Sequence, residues 1–215
     1  MSRRYHAYSD LPHSLPLFPL TGAMLLPRGH LPLNVFEPRY LEMVDYALSG
    51  DRLIGMIQPV ENEETTLRPR LSQVGCAGKL VAFQETGDNR YLITLSGVCR
   101  FRLTGEMESA TIWRAGFCDF APFAGDLAEA HGADLPRQRL LDALKTYLTS
   151  RDMQADWNSV LTAPAEALVN ALAMMCPFAP AEKQALLEAP GFHERASTLL
   201  ALLEMGAEAG PTTLN

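Results

Sequence analysis

Lysine is nearly missing from this sequence: Lys79, Lys145 and Lys183 are the only three in 215 residues, so the basic charge comes mainly from arginine. That scarcity makes a serine and lysine catalytic pair easy to look for, and no recognisable nucleophile arrangement accompanies any of the three. Cysteine is also sparse. Cys76, Cys99, Cys118 and Cys176 are far apart, and no pair has the spacing of a zinc knuckle or a redox CxxC, so they read as buried free thiols behaving as small hydrophobes. No apolar run approaches the ~20 residues needed to cross a bilayer. The start, MSRRYHAYSD, has charge but no apolar core of a signal peptide behind it. A cytoplasmic protein with no membrane partner is the expectation. Positive charge is in deficit, with 18 basic against 25 acidic residues, a net charge of -7 and a pI near 5.2, which disfavours broad attraction to nucleic acid or anionic lipid.

Chemical motifs are missing as well. A phosphate-binding loop needs backbone amides from a glycine-rich turn and a hydroxyl after the lysine, yet Gly78-Lys79 is followed by Leu80 and lacks the upstream glycine. There is no G-x-S-x-G elbow and no pair of histidines one helical turn apart. The histidines, His6, His13, His30, His131 and His193, are isolated from one another. A cysteine and a histidine could still meet in space, because such arrangements are spatial rather than sequential. No cofactor and no metal site is implied.

What is present is structural instruction, concentrated in residues 15–49. The run LPLFPL at 15–20 is apolar but interrupted by Pro16 and Pro19, which cannot donate to a ladder, so it reads as an edge strand or extended rim. Leu31, Leu33 and Val35 alternate with Pro32 and Asn34 and predict a better-paired strand ending at Phe36. The period then becomes helical at Tyr40, Leu41, Val44, Ala47 and Leu48, with Pro38 in the first turn, Glu37 beside the positive helix end and Gly50 as terminator. Strands follow at 53–58, 74–84, 90–95, around 98–103 after a break at Gly97, and 111–120, with Gly87-Asp88-Asn89 as a hairpin turn and an acidic loop at Glu61, Asn62, Glu63 and Glu64. Several short strands around one early helix predict a closed or partly closed barrel.

Composition shifts at Ala121. Residues 121–136, APFAGDLAEAHGADLP, have the small, flexible character of a linker. Beyond it three apolar helical faces recur: Leu140, Leu141, Leu144, Tyr147 and Leu148; Leu168, Val169, Leu172 and Met175; Ala196, Leu199, Leu200 and Leu203. The expected architecture is α+β: a barrel with one helix over 1–120, a linker over 121–136, a helical bundle over 137–205 and a frayed tail over 206–215.

The run LPLFPL, then LPLNVFEPRYLEMV, then Gly55-Met56, Gly75-Cys76-Ala77-Gly78, Arg90-Tyr91-Leu92-Ile93, Gly97 to Phe101 and the helical EKQALLE, in that order, resembles the amino-terminal domain of Lon proteases, a module also found free-standing. The resemblance covers nearly the whole chain. It implies a PUA-like pseudobarrel followed by helices, and a non-enzymatic recognition module that binds unfolded or apolar polypeptide or a partner protein. The ATPase and serine and lysine peptidase modules of full-length Lon have no counterpart in these residues.

The candidate binding residues are Phe18, Asn34, Phe36, Glu37, Arg39 and Arg100. Four have a plainer reading: Phe18 and Phe36 as core, and Glu37 and Arg39 as a helix-capping pair at a strand-to-helix corner. Alternatively Asn34, Glu37 and Arg39 offer hydrogen bonds to the backbone of an extended peptide, with the proline-broken strand at 15–20 as the edge it joins. A small hydrolase or ligand-binding enzyme with a pocket between two lobes is the competing function.

Overall fold

A computed structural model of the chain describes residues 5–60, 68–108, 110–128 and 135–208. The acidic loop at Glu61 to Glu64, His131, part of the expected linker and residues 209–215 lie outside these. The chain divides into two units, Met1–Glu129 and Ala130–Asn215.

The first unit is a mixed six-stranded sheet: β1 (Ser14–Pro19), β2 (His30–Val35), β3 (Leu53–Ile57), β4 (Val74–Thr86), β5 (Arg90–Met107) and β6 (Arg114–Asp119), with helix α1 (Pro38–Ser49) between β2 and β3. The strand order is β2-β5-β4-β3-β1-β6, and β6 also pairs with β5, so the pairings return to the long strand. Among the described residues only β1 and β3 run parallel.

Two expectations about the first strands are reversed. β1 is no edge: it lies between β3 and β6, and Leu15, Leu17 and Phe18 are 4% exposed or less. Its prolines are accommodated because each meets one neighbour. Pro16 pairs with Ala115 on β6 one residue before the β3 ladder begins at Leu17, and Pro19 pairs with Ile57 on β3 after the β6 ladder has ended. β2, expected to be better paired, has β5 as its sole partner among the described residues.

The strand break expected at Gly97 is absent, since β5 continues through it. A Cβ there would stand 1.9 Å from the Leu26 carbonyl oxygen, so glycine serves the close passage of the 24–27 loop, with a register shift rather than a chain break absorbing the crowding. Phe101 fills the centre of the unit, fully buried and edge-on to Phe120 at 6.0 Å, and a Cβ on Gly75 would lie 2.6 Å from its ring.

The segment expected to open the linker is folded. Ala121–Leu127 is a 3-10 helix whose Phe123 and Asp126 are buried. The Asp126 carboxylate accepts from Arg100 Nε at 2.8 Å, Nη2 at 2.9 Å and the Arg100 backbone N–H at 3.0 Å, and the guanidinium lies 4.6 Å from the Phe123 ring centre. Small residues here serve a tight packing turn. Sequence composition alone did not distinguish that from flexibility.

The second unit holds α2 (Arg137–Ser150), α3 (Trp157–Thr162), α4 (Ala165–Met175), α5 (Pro180–Glu188) and α6 (Phe192–Glu208). The predicted faces are buried at Leu140, Leu144, Tyr147, Leu168, Val169, Leu199 and Leu203, but Met175 is 80% exposed at the end of α4. Residues 206–208 belong to α6 rather than to a frayed tail: a Cβ on Gly206 would meet the Tyr147 ring at 2.6 Å. No described helix is long and apolar enough to cross a membrane.

Candidate peptide-binding surface

β2, the first half of β5 and the distal half of β4 form a three-stranded ribbon in which Leu33↔Ile93↔Phe83 and Asn34↔Leu92↔Gln84 lie side by side. Side chains alternate across it. One face is covered at β2 and β5, where Val35 and Ile93 are 2% exposed and the Tyr91 hydroxyl reaches Asp45 of α1 at 3.5 Å, but it opens at distal β4, where Phe83 is 40% exposed with its ring edge-on to Tyr91 at 4.9 Å. The other face carries Pro32, Asn34, Leu92, Thr94, Ala82 and Gln84. Leu92 is 43% exposed, and the six include no charged side chain.

At the end of β2 this surface meets Phe36, a large apolar side chain 60% exposed, with the Arg90 guanidinium 5.8 Å from its ring centre. Arg90 is held to Asp88 at 3.0 Å, and the Thr86 hydroxyl, which donates to Asp88, holds that carboxyl below its usual range. The next residues form the corner. Glu37 has N-cap geometry, and its carbonyl accepts from the Tyr40 and Leu41 amides at 2.9 and 3.0 Å, but its carboxylate caps nothing. It accepts instead from Arg39 Nε at 2.9 Å, with Nη2 at 2.7 Å from the same oxygen. Arg39 stands 4.5 Å over the Tyr40 ring, and Tyr40 in turn packs on Phe18 at 4.3 Å. A column thus runs from core to surface. Burial pushes the Tyr40 phenol above its ordinary pKa, and its hydroxyl donates to the Pro19 carbonyl.

Residues 14–205 match the profile of the ATP-dependent protease La (LON) substrate-binding domain. The chain belongs to this family. Lon protease 2 of Thermus thermophilus is 25% identical over 90% of the chain and 24% of its own length. Lon protease 2 of Myxococcus xanthus is 28% identical over 49% of the chain and 13% of its own length. The chain therefore spans a quarter or less of these relatives. The fold is also that of the Lon N-terminal domain protein from Xanthomonas campestris, with a TM-score of 0.62 at 24% identity over 87% of this chain and 97% of that one.

Of the six residues singled out in this Lon-type domain, Asn34, Phe36, Glu37 and Arg39 come together on one exposed corner. The other two do not. Phe18 is 4% exposed beneath Tyr40, and Arg100, 3% exposed, is committed to Asp126. Leu92, Thr94, Ala82, Gln84 and Arg90 were not anticipated. The one sequence signal was the alternation in RYLITL, where Tyr91, Ile93 and Leu95 are apolar and Arg90, Leu92 and Thr94 are mixed; it marks the inner row, but that Leu92 lies beside Asn34 follows only from the β2–β5 register.

The four cysteines are free and buried. Burial pushes the thiols of Cys99 and Cys118 up to about 12 and that of Cys176 up to about 11, and raises that of Cys76 well above its ordinary value. Such thiols stay protonated at neutral pH and are poor nucleophiles. Lys183, whose pKa burial lowers, donates from Nζ to the Met174 carbonyl at 3.3 Å, in the last turn of α4.

Proposed function

We propose that this chain is a non-enzymatic recognition module that holds extended, apolar segments of unfolded polypeptide, or of a partner protein, on the outer face of the β2–β5–β4 ribbon. The observation that carries the reading is the uncharged sheet face ending in Phe36 at 60% exposure. An exposed aromatic beside an uncharged surface is a common form of interaction site on soluble proteins. The name of the family, substrate-binding domain, points the same way. The returning strand pairings support a PUA-like pseudobarrel as the scaffold.

A cysteine-based hydrolase is the weaker reading because the thiols are buried and their pKa values raised rather than lowered. The net charge of -7 disfavours nucleic acid as ligand, and we place the protein in the cytoplasm. Binding is expected in the micromolar range and nearly independent of salt, because a shallow site offsets only part of the cost of ordering a flexible chain. The test is fluorescence anisotropy with labelled, reduced casein against a highly charged control peptide of similar length. Casein should bind, and the double variant Phe36→Ala, Leu92→Ser should weaken it about tenfold or more while keeping a cooperative melting transition. Equal binding to both probes removes the reading. So does a steep salt dependence.

The thiols give a second check. Ellman's reagent at pH 8 should leave the native protein unmodified over minutes and titrate four cysteines in guanidinium. Rapid native reaction of one thiol would revive the hydrolase.

A further inference from the structure

The Gly97 amide donates to the Gly29 carbonyl at 2.8 Å, just ahead of the ladder in which β2 runs antiparallel to β5. Hydrogen-bonded and non-hydrogen-bonded pairs alternate in such a ladder, so Leu31, Leu33 and Val35 turn their backbone groups toward β5, while His30, Pro32 and Asn34 turn theirs away. Pro32 fits this assignment, because a proline is tolerated in a strand where its nitrogen faces outward. The outer edge of β2 thus presents the N–H groups of His30 and Asn34 and the carbonyls of His30, Pro32 and Asn34. Among the described residues no strand or loop backbone pairs with it.

Resting on the recognition reading above, we infer that this edge takes the bound segment as an added β-strand, with full pairs at His30 and Asn34 flanking a half pair at Pro32. The occupant is an extended, uncharged stretch of another polypeptide. Its extension follows from the backbone groups it must meet two residues apart. Its lack of charge follows from the ribbon face beside the edge. Pro32, Asn34, Leu92 and Thr94 carry no charge to pair with an ionised side chain, and the charges near Phe36 are already joined as Arg90 with Asp88 and Arg39 with Glu37. The ribbon's opposite edge, on distal β4, is less suitable: it carries a register irregularity between Leu80 and Ala82 and the exposed carboxylate of Glu85. An unguarded edge is ordinarily blunted by charge or a bulge, and β2 has neither, only a single proline that removes one donor.

The probe is a labelled alternating threonine–valine nonapeptide, with labelled casein alongside, measured by anisotropy on the full chain. Asn34→Pro removes one outward donor without touching the β5 ladder and should weaken both probes about tenfold more than Asn34→Ala, which loses the same side chain but keeps the backbone donor. Pro32→Val restores the missing donor and should tighten binding about two- to tenfold. If Asn34→Pro fails to fold, Pro32→Val decides alone. Equal binding by Asn34→Pro and Asn34→Ala, or no tightening by Pro32→Val, overturns strand addition; the apolar-surface reading then stands if the Phe36→Ala, Leu92→Ser variant still loses casein. Failure of the unaltered protein to bind either probe removes both. A dimer by sedimentation velocity that Asn34→Pro renders monomeric would assign the edge to a second copy and overturn the proposed occupant.

Discussion

β1 and β2 contain the same tripeptide, Leu-Pro-Leu at 15–17 and 31–33, and the fold uses it in opposite ways. In β1 the prolines sit where one ladder stops and the other starts, so the strand keeps a neighbour on each side and buries both faces. In β2 Pro32 turns its nitrogen to an unoccupied edge, and only Val35 is buried. Proline therefore says where a donor is missing, not which strand lies outermost. The deciding residues are those on the second alternation: Phe18 in β1 is apolar and belongs inside, Asn34 in β2 is polar and belongs outside.

The sharpest test compares the leucine that follows each proline. Leu17 is fully buried between glycines: a Cβ on Gly55 would lie 3.0 Å, and one on Gly116 2.9 Å, from its methyl groups. Leu17→Ala should leave a cavity and cost about 2 to 5 kcal/mol. Leu33→Ala, in the half-buried row of β2, should cost about 1 kcal/mol, since less apolar area leaves water there. Urea titrations in a Trp157→Phe background, where Trp113 reports the first unit, would measure both. Equal costs would mean that β2 is covered in solution.

How much of this was legible follows the same line. Period-two and period-3.6 patterns located α1 and most strands to within a few residues, because those patterns are set by local geometry, but they divided β5 in two at Gly97. Pairing order is not local. Nothing in residues 15–20 shows that β3 and β6 will flank them, and nothing in 121–127 shows that Asp126 will meet Arg100, a residue 26 positions earlier. The site was half legible for the same reason: Asn34 and Phe36 lie on one strand and the turn after it, but Leu92 and Gln84 join them only through register.

A smaller effect tests the interior position of β1 through its neighbour. Arg114, opposite Leu17, donates to Glu106 from Nε at 2.7 Å and Nη2 at 2.6 Å, and from Nη1 to the Pro69 carbonyl at 2.7 Å. These bonds hold the Glu106 carboxyl below its ordinary value of 4.5. A depressed folded pKa means that the pair stabilises above the unfolded value and is lost as pH falls through the folded one. Unfolding free energy should decline on acidification below about pH 4.5, and Glu106→Gln should flatten that limb. An unchanged acid limb would show that the pair is not maintained in solution.

The smallest expected effect lies where β2 hands over to α1. Glu37 has the place of a helix cap, and loss of a capping side chain costs about 0.5 to 2 kcal/mol. Its carboxylate is instead turned to Arg39 in a pair whose side chains are 43% and 44% exposed, and pairs that open to water contribute about 0 to 1 kcal/mol and weaken with salt. Glu37→Ala should therefore shift the urea midpoint by less than about 0.5 kcal/mol in free-energy terms, with no shift in high salt. Glu37→Gln should behave alike, because the side chain caps no amide, and the Glu37 carbonyl that accepts the first helical bonds is kept in both variants. A salt-independent loss near 1 kcal/mol would mean that the carboxylate swings onto the helix amides, freeing Arg39 beside Phe36. The end of β2 would then carry an unpaired cation, and charged peptides would bind there as well as neutral ones.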